Sequence, residues 1–392
     1  MTSTLPGIQL STETRASKAM TVDTAVPLFI GYTTGQHAAG EIRFIENVDT
    51  LSSGVLHQTL QHYFASGGQG CYVFSLGGWD EQHSDPASDL ASRSVALGQA
   101  LGAETTITLL AFPDMIRIPD GDPVTWGAVW QSMAALCDVR PGLFAVLDTP
   151  FEAEDTVTAL KGFAREGQTR TAAYWPHLYT DGEQGTRITV PPSGAVIASV
   201  QHVDHQYGVW RAPANIALPQ VICPVCRAVE YEHLFALQDV ACNLIRSFPG
   251  RGTRIWGCRT LTSDHGSSFR YIQMRRLLDY VERSLGLLAR MYLFEPNNEV
   301  TWYKIKGQFH NWLRRLWQQG GLSGGQESDA FSIRLGLNET MTQDDILTGK
   351  MIVLVRIAPL NPAEYIDITL QLNAQAAVPA QITTQEMSHA RK

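Results

Sequence analysis

The chain has 392 residues, of which 44% are hydrophobic and 17% charged, and its formal net charge is −8. These values are typical of a folded protein of two or three domains and exclude a disordered chain. No apolar run approaches the roughly 18 residues that a membrane-spanning helix needs, and residues 1–17 lack the basic start and apolar segment of a secretory signal.

The N-terminal part of the chain predicts an arm followed by an α/β domain. Residues 1–23 are rich in Thr, Ser and Ala and cannot form a core alone, so we expect them to project. The predicted strands are residues 26–32, 71–76, 106–112, 143–147 and 171–175, and the predicted helices are residues 49–65, 90–101, 126–136 and 156–165. Strands that alternate with helices predict a largely parallel sheet, but many enzymes share this pattern and it carries no function by itself.

Residues 245–261 form the most informative stretch of the chain. Gly250 and Gly252 flank Arg251 between an apolar run and a β-prone run. Helical periodicity over residues 230–245 predicts a helix, and the two glycines then predict a turn with Arg251 at its tip and a strand behind it. Taken alone, the segment favours an ordinary glycine-rich loop that carries a solvated arginine.

Two amphipathic helices follow this stretch, over residues 277–292 and 299–318. Between residues 246 and 315 there are 13 Lys and Arg against 5 Asp and Glu, a balance of +8, so the rest of the chain carries −16. This asymmetry predicts a face that meets an acidic partner, although an ordinary solvated face is the alternative for both helices. The candidate contact residues are Arg251, Arg276, Arg283, Arg290, Lys304 and Arg315. Nucleic acid is not favoured as the partner, since no DNA-binding motif is present.

The last third of the chain predicts strands at residues 331–337, 351–355 and 366–372, followed by a polar, flexible tail. Apolar and polar residues alternate in the first and third of these strands. Each of those two strands should therefore have one face that is exposed to solvent or covered by a partner.

The sequence contains little that indicates catalysis. It has no GxSxG, Walker A or HExxH motif. The acidic and histidine side chains of residues 80–85 (Asp80, Glu81, His83 and Asp85) match no ligand spacing and favour a polar surface loop. His202 and Asp204 would share a face if they lay on a strand, which makes them the candidate pair for an enzyme, although a structural pair is favoured.

The cysteines offer one possible metal site. Cys223 and Cys226 form a CxxC pair that His233 and Cys242 could complete as zinc ligands. Because no second CxxC or HxxxH is present, reduced structural thiols are favoured, and we predict neither a metal nor a cofactor.

Several short blocks, in this order, resemble the contractile tail sheath proteins of phages and of related bacterial injection machines. They are residues 63–73, the PPSG of 191–194, the GVWRAPAN of 208–215, the stretch 245–261, the YIQMRRL of 271–277, the FEPN of 294–297 and the proline-containing segments 357–359 and 362–364. Each block is weak alone, but their order over most of the chain makes the resemblance specific.

The resemblance implies an α/β fold class, with an N-terminal alternating α/β domain, a C-terminal α+β core domain and extended N- and C-terminal arms. The predicted division is residues 1–23 as linker arm, 24–195 as outer α/β domain, 196–365 as core domain, and 366–392 as arm strand and tail. In the family, arms from neighbouring subunits add strands to a small sheet of the core domain. The candidate arm residues are Pro6, Gly7, Ile8, Leu10, Ile366, Ile368, Leu370 and Leu372, and intramolecular edge strands are the alternative.

The implied function is mechanical. Family members form stacked rings, expected to be hexameric, around an inner tube in a metastable extended state, and contraction drives the tube through a target envelope. The implied partners are further copies, the tube protein, and baseplate and tail-terminator proteins, with no membrane insertion and no direct nucleic-acid contact. The implied location is the bacterial cytoplasm during assembly, and then a virion tail or a released or anchored contractile particle. The alternatives are another structural component of the same machine, or an α/β enzyme that uses His202 and Asp204.

Overall fold

The structure is a computed structural model of one chain. It describes residues 22–33, 38–48, 54–163, 168–182, 185–237 and 239–361, and the backbone of two further strands, Ile368–Thr369 and Thr383–Thr384. The other predicted arm residues lie outside these ranges, namely Pro6, Gly7, Ile8, Leu10, Ile366, Leu370 and Leu372.

The described helices are α1 (Val55–Ala65), α2 (Pro86–Ala103), α3 (Pro123–Cys137), α4 (Ala153–Phe163), α5 (Ser193–Tyr207), α6 (Ala228–Leu237), α7 (Ile272–Arg290), α8 (Glu299–Gln318), α9 (Glu327–Ala330) and α10 (Gln343–Leu347), with a 3-10 helix over Pro113–Arg117. Seven of the ten α-helices in the described ranges were predicted, with shifted ends, whereas α5, α9 and α10 were not. Two early helices begin one turn before their apolar periodicity. The side chains of Asp85 and Asp122 accept hydrogen bonds from the first turns of α2 and α3, and a proline follows each of them.

The described strands form one large sheet and three small ones. They are β1 (Pro27–Gly31), β2 (Ile42–Ile45), β3 (Cys71–Ser75), β4 (Leu109–Ala111), β5 (Phe144–Leu147), β6 (Thr171–Trp175), β7 (Leu178–Asp181), β8 (Arg187–Val190), β9 (Ile216–Ala217), β10 (Cys223–Pro224), β11 (Cys242–Phe248), β12 (Gly252–Trp256), β13 (Phe331–Arg334), β14 (Leu354–Ile357), β15 (Ile368–Thr369) and β16 (Thr383–Thr384).

The large sheet has the strand order β2-β3-β1-β4-β5-β6-β11-β12-β9. Its central run from β3 to β11 is parallel, whereas β2, β12 and β9 join their neighbours in antiparallel fashion. The predicted α/β class with a largely parallel sheet is therefore confirmed. A separate three-stranded antiparallel sheet has the order β10-β7-β8, and its strands come between β6 and β11 in the sequence.

Both faces of the large sheet are buried, because successive residues of each central strand enter different cores. In β1, Leu28 and Ile30 belong to one apolar cluster and Phe29 to the other. The first cluster includes Trp126 and Trp130 of α3, and the second includes apolar residues of α1 and α5. The result is a three-layer arrangement of helices, sheet and helices.

A second unit follows the sheet. Its core joins apolar residues of α7 and α8 to Phe331 of β13 and Leu335 behind it. Helix α7 connects the two units, because Ile272 at its start belongs to a core of the sheet whereas Leu277, Val281 and Leu285 belong to the core of the second unit.

Two features of the structure differ from the sequence-based expectation. The predicted helix over residues 230–245 ends at Leu237, and residues 242–248 instead form β11, so the 245–261 stretch is a β-hairpin rather than a helix, turn and strand. A short apolar run fits either period, and here pairing with β6 decides in favour of the strand. The predicted domain border at residues 195/196 falls within α5, and the large sheet contains strands from both sides of it.

Candidate functional site

Residues 23–25, at the root of the predicted N-terminal arm, are held to the body by long side chains. Arg283 Nη1 donates to the carbonyl of Asp23 (3.0 Å), and Arg276 Nη2 donates to the carbonyl of Thr24 (2.8 Å). Gln201 of α5 donates to the next carbonyl along the chain (2.8 Å). Three successive carbonyls are thus bound by α7 and α5, which fixes residues 23–25 to the body.

Arg276 forms a buried ion pair with Asp204 of α5. Its Nη2 lies 2.6 Å from Asp204 Oδ2 and its Nη1 lies 3.0 Å from Oδ1, and both side chains are only 5% exposed. The prediction that Arg276 lies on a partner-facing basic stripe is therefore corrected. The face of α7 that the sequence marks as polar is turned toward the sheet unit, where a charged side chain requires a partner of opposite sign.

A second buried charge cluster begins at the neighbouring residue of the same helix. Arg275 pairs with Asp279, and Arg170, which precedes β6, reaches the same carboxylate at 3.4 Å. The i,i+4 spacing of Arg275 and Asp279 was visible in the sequence, but their burial was not. Together with the Arg276 pair, this cluster fixes the first half of α7 against the sheet unit.

Arg283 is half-buried and also contacts the sheet unit, because its Nη2 donates to the carbonyl of Thr105 (2.7 Å). Burial lowers its pKa, and burial together with the nearby Arg283 charge lowers the pKa of Arg140 to about 10. Both side chains line a cleft of about 450 Å³, beside the exposed Arg290. The expectation of an exposed basic stripe along α7 therefore fits Arg290 but not Arg276, and fits Arg283 only in part.

Helix α8 has one apolar face and one polar face, as its sequence predicts. The apolar face contributes Trp302, Ile305, Phe309, Leu313 and Leu316 to the core of the second unit. Lys304, Gln308, Asn311 and Arg315 are exposed on the other side. The spacing of these four residues places them on one continuous surface of the helix. Lys304 and Arg315 therefore remain available to a partner.

The β13–β14 sheet is the candidate receiving surface for an arm. Its strands pair antiparallel, with Phe331 opposite Ile357 and Ile333 opposite Val355. These four side chains face the core of the second unit, while the alternate positions between them are exposed. Among the described residues the sheet has two strands, so each strand has one edge along which no further strand is paired.

Only one predicted C-terminal arm residue falls within a described strand. Ile368 of β15 is paired with Thr384 of β16 in a two-residue antiparallel ladder. This short ladder is separate from the β13–β14 sheet.

Arg251 lies where the sequence places it, at the exposed tip of the β11–β12 hairpin. Gly250 and Gly252 have φ values of +69° and +70°, in the left-handed region that glycine adopts without strain. The glycine spacing was thus a correct signal for the turn.

The candidate catalytic residues do not form a catalytic pair. His202 and Asp204 lie on helix α5 rather than on a strand, so they point in different directions; His202 is exposed, and Asp204 is bound by Arg276. In the exposed 80–85 loop, Asp80 pairs with His83 at 2.8 Å, and the hydrogen bonds from Gln82 N and His83 lower the pKa of Asp80.

Two carboxylates lie at the carboxyl edge of the parallel strands, where α/β enzymes commonly place reactive groups. Asp114 accepts hydrogen bonds from Tyr32 N (2.9 Å) and Arg117 Nε (2.7 Å). Asp148 accepts one from Ser193 N (2.8 Å) at the start of α5, and burial raises its pKa to about 7. Both side chains hold backbone segments together.

The cysteine pair shows no metal-site geometry. No three His, Cys, Asp or Glu side chains of the described ranges are grouped as a metal site would require. Cys223 lies on β10, and burial raises the pKa of the Cys226 thiol to about 12. No helix in the described part of the chain has the length and apolar character of a membrane span.

Comparison with known proteins connects these surfaces to one family. Residues 264–373 match the family model of the phage tail sheath C-terminal domain. The structure superposes on a chain of the contracted baseplate of the anti-feeding prophage with a TM-score of 0.83 and 38% identity, covering 96% of this chain and all of that one. It also superposes on a chain of the contracted helical sheath of the anti-feeding prophage, with a TM-score of 0.72 and 32% identity, covering 95% of this chain and all of that one. The chain belongs to the contractile tail sheath family.

A more distant relative of this sheath protein is the tail sheath protein of Vibrio phage KVP40, which is 23% identical over 196 residues. That match covers 49% of this chain and 28% of the phage protein, so the chain spans less than a third of that relative. The family-model match begins just before α7 and includes the second unit, with α8 and the β13–β14 sheet. This protein is thus a structural sheath subunit of a tail-like contractile particle.

Proposed function

We propose that this sheath protein polymerises as stacked hexameric rings around an inner tube and that the helical sheath contracts to drive the tube through a target envelope. The observation that supports this most directly is the β13–β14 sheet. Its inner face packs on α8, while each strand keeps an edge without a paired strand among the described residues. Such an edge can accept an extended segment through main-chain hydrogen bonds.

The segments that fit these edges are the two arms. We assign Pro6, Gly7, Ile8 and Leu10 to an N-terminal arm strand, and Ile366, Ile368, Leu370 and Leu372 to a C-terminal one, each donated to a neighbouring subunit. In the single chain Ile368 pairs instead with Thr384 of the same chain, so this pairing would have to be exchanged in the assembled sheath. The arm root at residues 23–25 is bound to α7 and α5, so a force on the arm would be transmitted to the body of the subunit through these residues.

The surface for the tube is the polar face of α8, with Lys304 and Arg315, together with Arg290 at the end of α7. Each exposed charge pair contributes only about 0 to 1 kcal/mol, yet a ring of them adds up and separates readily. Such contacts suit a tube that must first be held and then released. We instead assign Arg276 and Arg283 to holding the arm root, through their hydrogen bonds to the carbonyls of Thr24 and Asp23.

The partners in this proposal are further copies of the chain, the tube protein, and baseplate and tail-terminator proteins. Assembly would take place in the bacterial cytoplasm, with neither direct nucleic-acid contact nor membrane insertion. The relative that superposes best among those described comes from a baseplate structure, which supports the baseplate contact.

Deletion of residues 1–14 tests the proposal. The truncated chain is expected to fold with the same thermal midpoint as the full chain, because the deleted residues precede the arm root. It should form no hollow striated cylinders in negative-stain micrographs, whereas the full chain does. Normal sheaths from the truncated chain would reject the exchange of N-terminal arms.

A further inference from the structure

The tip of the β11–β12 hairpin brings together two arginines, Arg251 and Arg254. Arg251 Nη2 donates to Asn215 Oδ1 (3.1 Å), and Arg254 Nη1 reaches the same oxygen (3.4 Å) and the Asn215 carbonyl (2.8 Å). Among the described residues neither guanidinium forms an ion pair with a carboxylate. Two like charges held at one neutral oxygen repel each other, and an incoming carboxylate would remove that repulsion.

Aromatic rings lie beside the two arginines on the same hairpin. The rings of Phe248 and Trp256 lie 4.6 Å apart, and the guanidinium of Arg251 lies 5.9 Å from the Phe248 ring. Arg246 is 5.4 Å from Phe248 and 5.9 Å from Trp256, and Trp256 is 39% exposed. Tryptophan and arginine are enriched among the few residues that dominate binding energy at protein interfaces.

The backbone holds this surface in place before any partner arrives. Asn215 adopts φ +57° next to β9, and its N–H donates to the carbonyl of Ile255 in β12 (2.7 Å). The turn is set by Gly250 and Gly252, both with positive φ. A contact surface that is already ordered loses less entropy on binding.

We propose that the hairpin tip, formed by Arg251, Arg254, Asn215, Phe248 and Trp256, is a receptor for a carboxylate-bearing surface of a second copy of this chain. A second copy can supply the carboxylates, because residues outside 246–315 carry a net charge of −16. The contact joins two different surfaces, and such heterologous contacts build rings or helical polymers. The inference rests on the proposed function and names one contact of the assembly.

The test is a double charge reversal, Arg251→Glu with Arg254→Glu. The matched control is Arg227→Glu with Lys161→Glu, which makes the same charge change at two exposed residues away from the hairpin. We expect the hairpin variant to need about tenfold more protein to form sheaths, since reversed charges at a contact repel the partner, and the control to assemble as the wild type does. Near-ultraviolet circular dichroism should be the same for all three proteins.

Mixing the reversed variant with wild-type protein distinguishes a contact between two copies of the chain from a contact with the tube. The reversed variant lacks the receptor but keeps the acidic surface, so a small fraction of it added to wild-type protein should cap growing sheaths and shorten them. The variant Arg251→Lys with Arg254→Lys keeps the charge but loses the planar fork of donors, and should assemble at an intermediate concentration.

Three results would overturn the inference: assembly of the reversed variant at the wild-type concentration, unchanged sheath length in the mixture, or normal sheaths that no longer bind a tube. If the wild type formed no sheath at all, the proposed function would fail instead. The hairpin contact would then be measured by sedimentation equilibrium, in which the reversed variant must self-associate about tenfold more weakly than the wild type and the control.

Discussion

At the scale of single residues, the Arg276–Asp204 pair shows how a charge that looks like surface in the sequence can be structural. Both groups are buried, and the same arginine binds the carbonyl of Thr24 at the arm root. Its substitution should therefore change the stability of the monomer before it changes any contact between subunits.

Arg276→Ala is expected to lower the free energy of unfolding by about 3 to 5 kcal/mol, because it leaves the Asp204 carboxylate buried without its partner. The double variant Arg276→Met with Asp204→Leu should lose much less, since neither charge remains. Urea unfolding of each variant measures both values. The exposed Arg290→Ala serves as the control and should lie within about 0.5 kcal/mol of the wild type; an equally small effect of Arg276→Ala would contradict the account.

The buried carboxyl group of Asp148 should make the free energy of unfolding depend on pH. Burial raises its pKa to about 7, above the ordinary value of about 3.9, so between these values the folded chain keeps a proton that the unfolded chain releases. The stability contributed by this group is present at low pH and is lost as pH rises toward 7. Asp148→Asn removes this titration, so its stability relative to the wild type should rise between about pH 4 and about pH 7 and stay level above that.

Urea unfolding of both proteins across this pH range measures the effect. His62 and His177 are also buried, with pKa values lowered by burial, but they are common to both proteins and cancel in the difference. A difference that is constant with pH would show that Asp148 is ionised throughout.

At the scale of elements, helix α8 can be tested as the tube-facing element. Lys304→Glu with Arg315→Glu reverses two exposed charges on its polar face. We expect co-sedimentation with the tube protein to weaken while the thermal midpoint changes little, because neither side chain contributes to the core of the second unit. Arg43→Glu with Arg227→Glu, at the other unit, is the matched control. Unchanged tube binding by the α8 variant would exclude this face.

Most elements were predictable because their period is unambiguous. The early strands and helices and the two faces of α8 follow from apolar spacing alone, and the Gly250–Gly252 spacing marked the turn of the hairpin. Strand β11 was not predictable, since its short apolar run fits a helix as well and only its pairing with β6 decides. The same limit applies to α5, where His202 and Asp204 would share a face on a strand but not on a helix.

At the scale of the whole molecule, the sequence shows which residues are charged. It does not show which of these residues become buried between the two packed units. The amphipathic pattern of α7 indicates an apolar face and a polar face. The first half of its polar face is also covered, because this part of α7 lies between the sheet unit and the second unit. Arg275 therefore pairs with Asp279, and Arg276 with Asp204, in the interior of the protein. Arg290 at the end of α7 and the polar face of α8 remain exposed.

The central claim is that subunits stay joined because arms from neighbouring copies extend the β13–β14 sheet. A cryo-EM reconstruction of the assembled sheath tests it most directly. We expect the map to show an extended segment of another subunit, hydrogen-bonded along the open edge of β13 or β14. If both edges were bare in the intact sheath, or covered by the arms of the same chain, the claim would be contradicted.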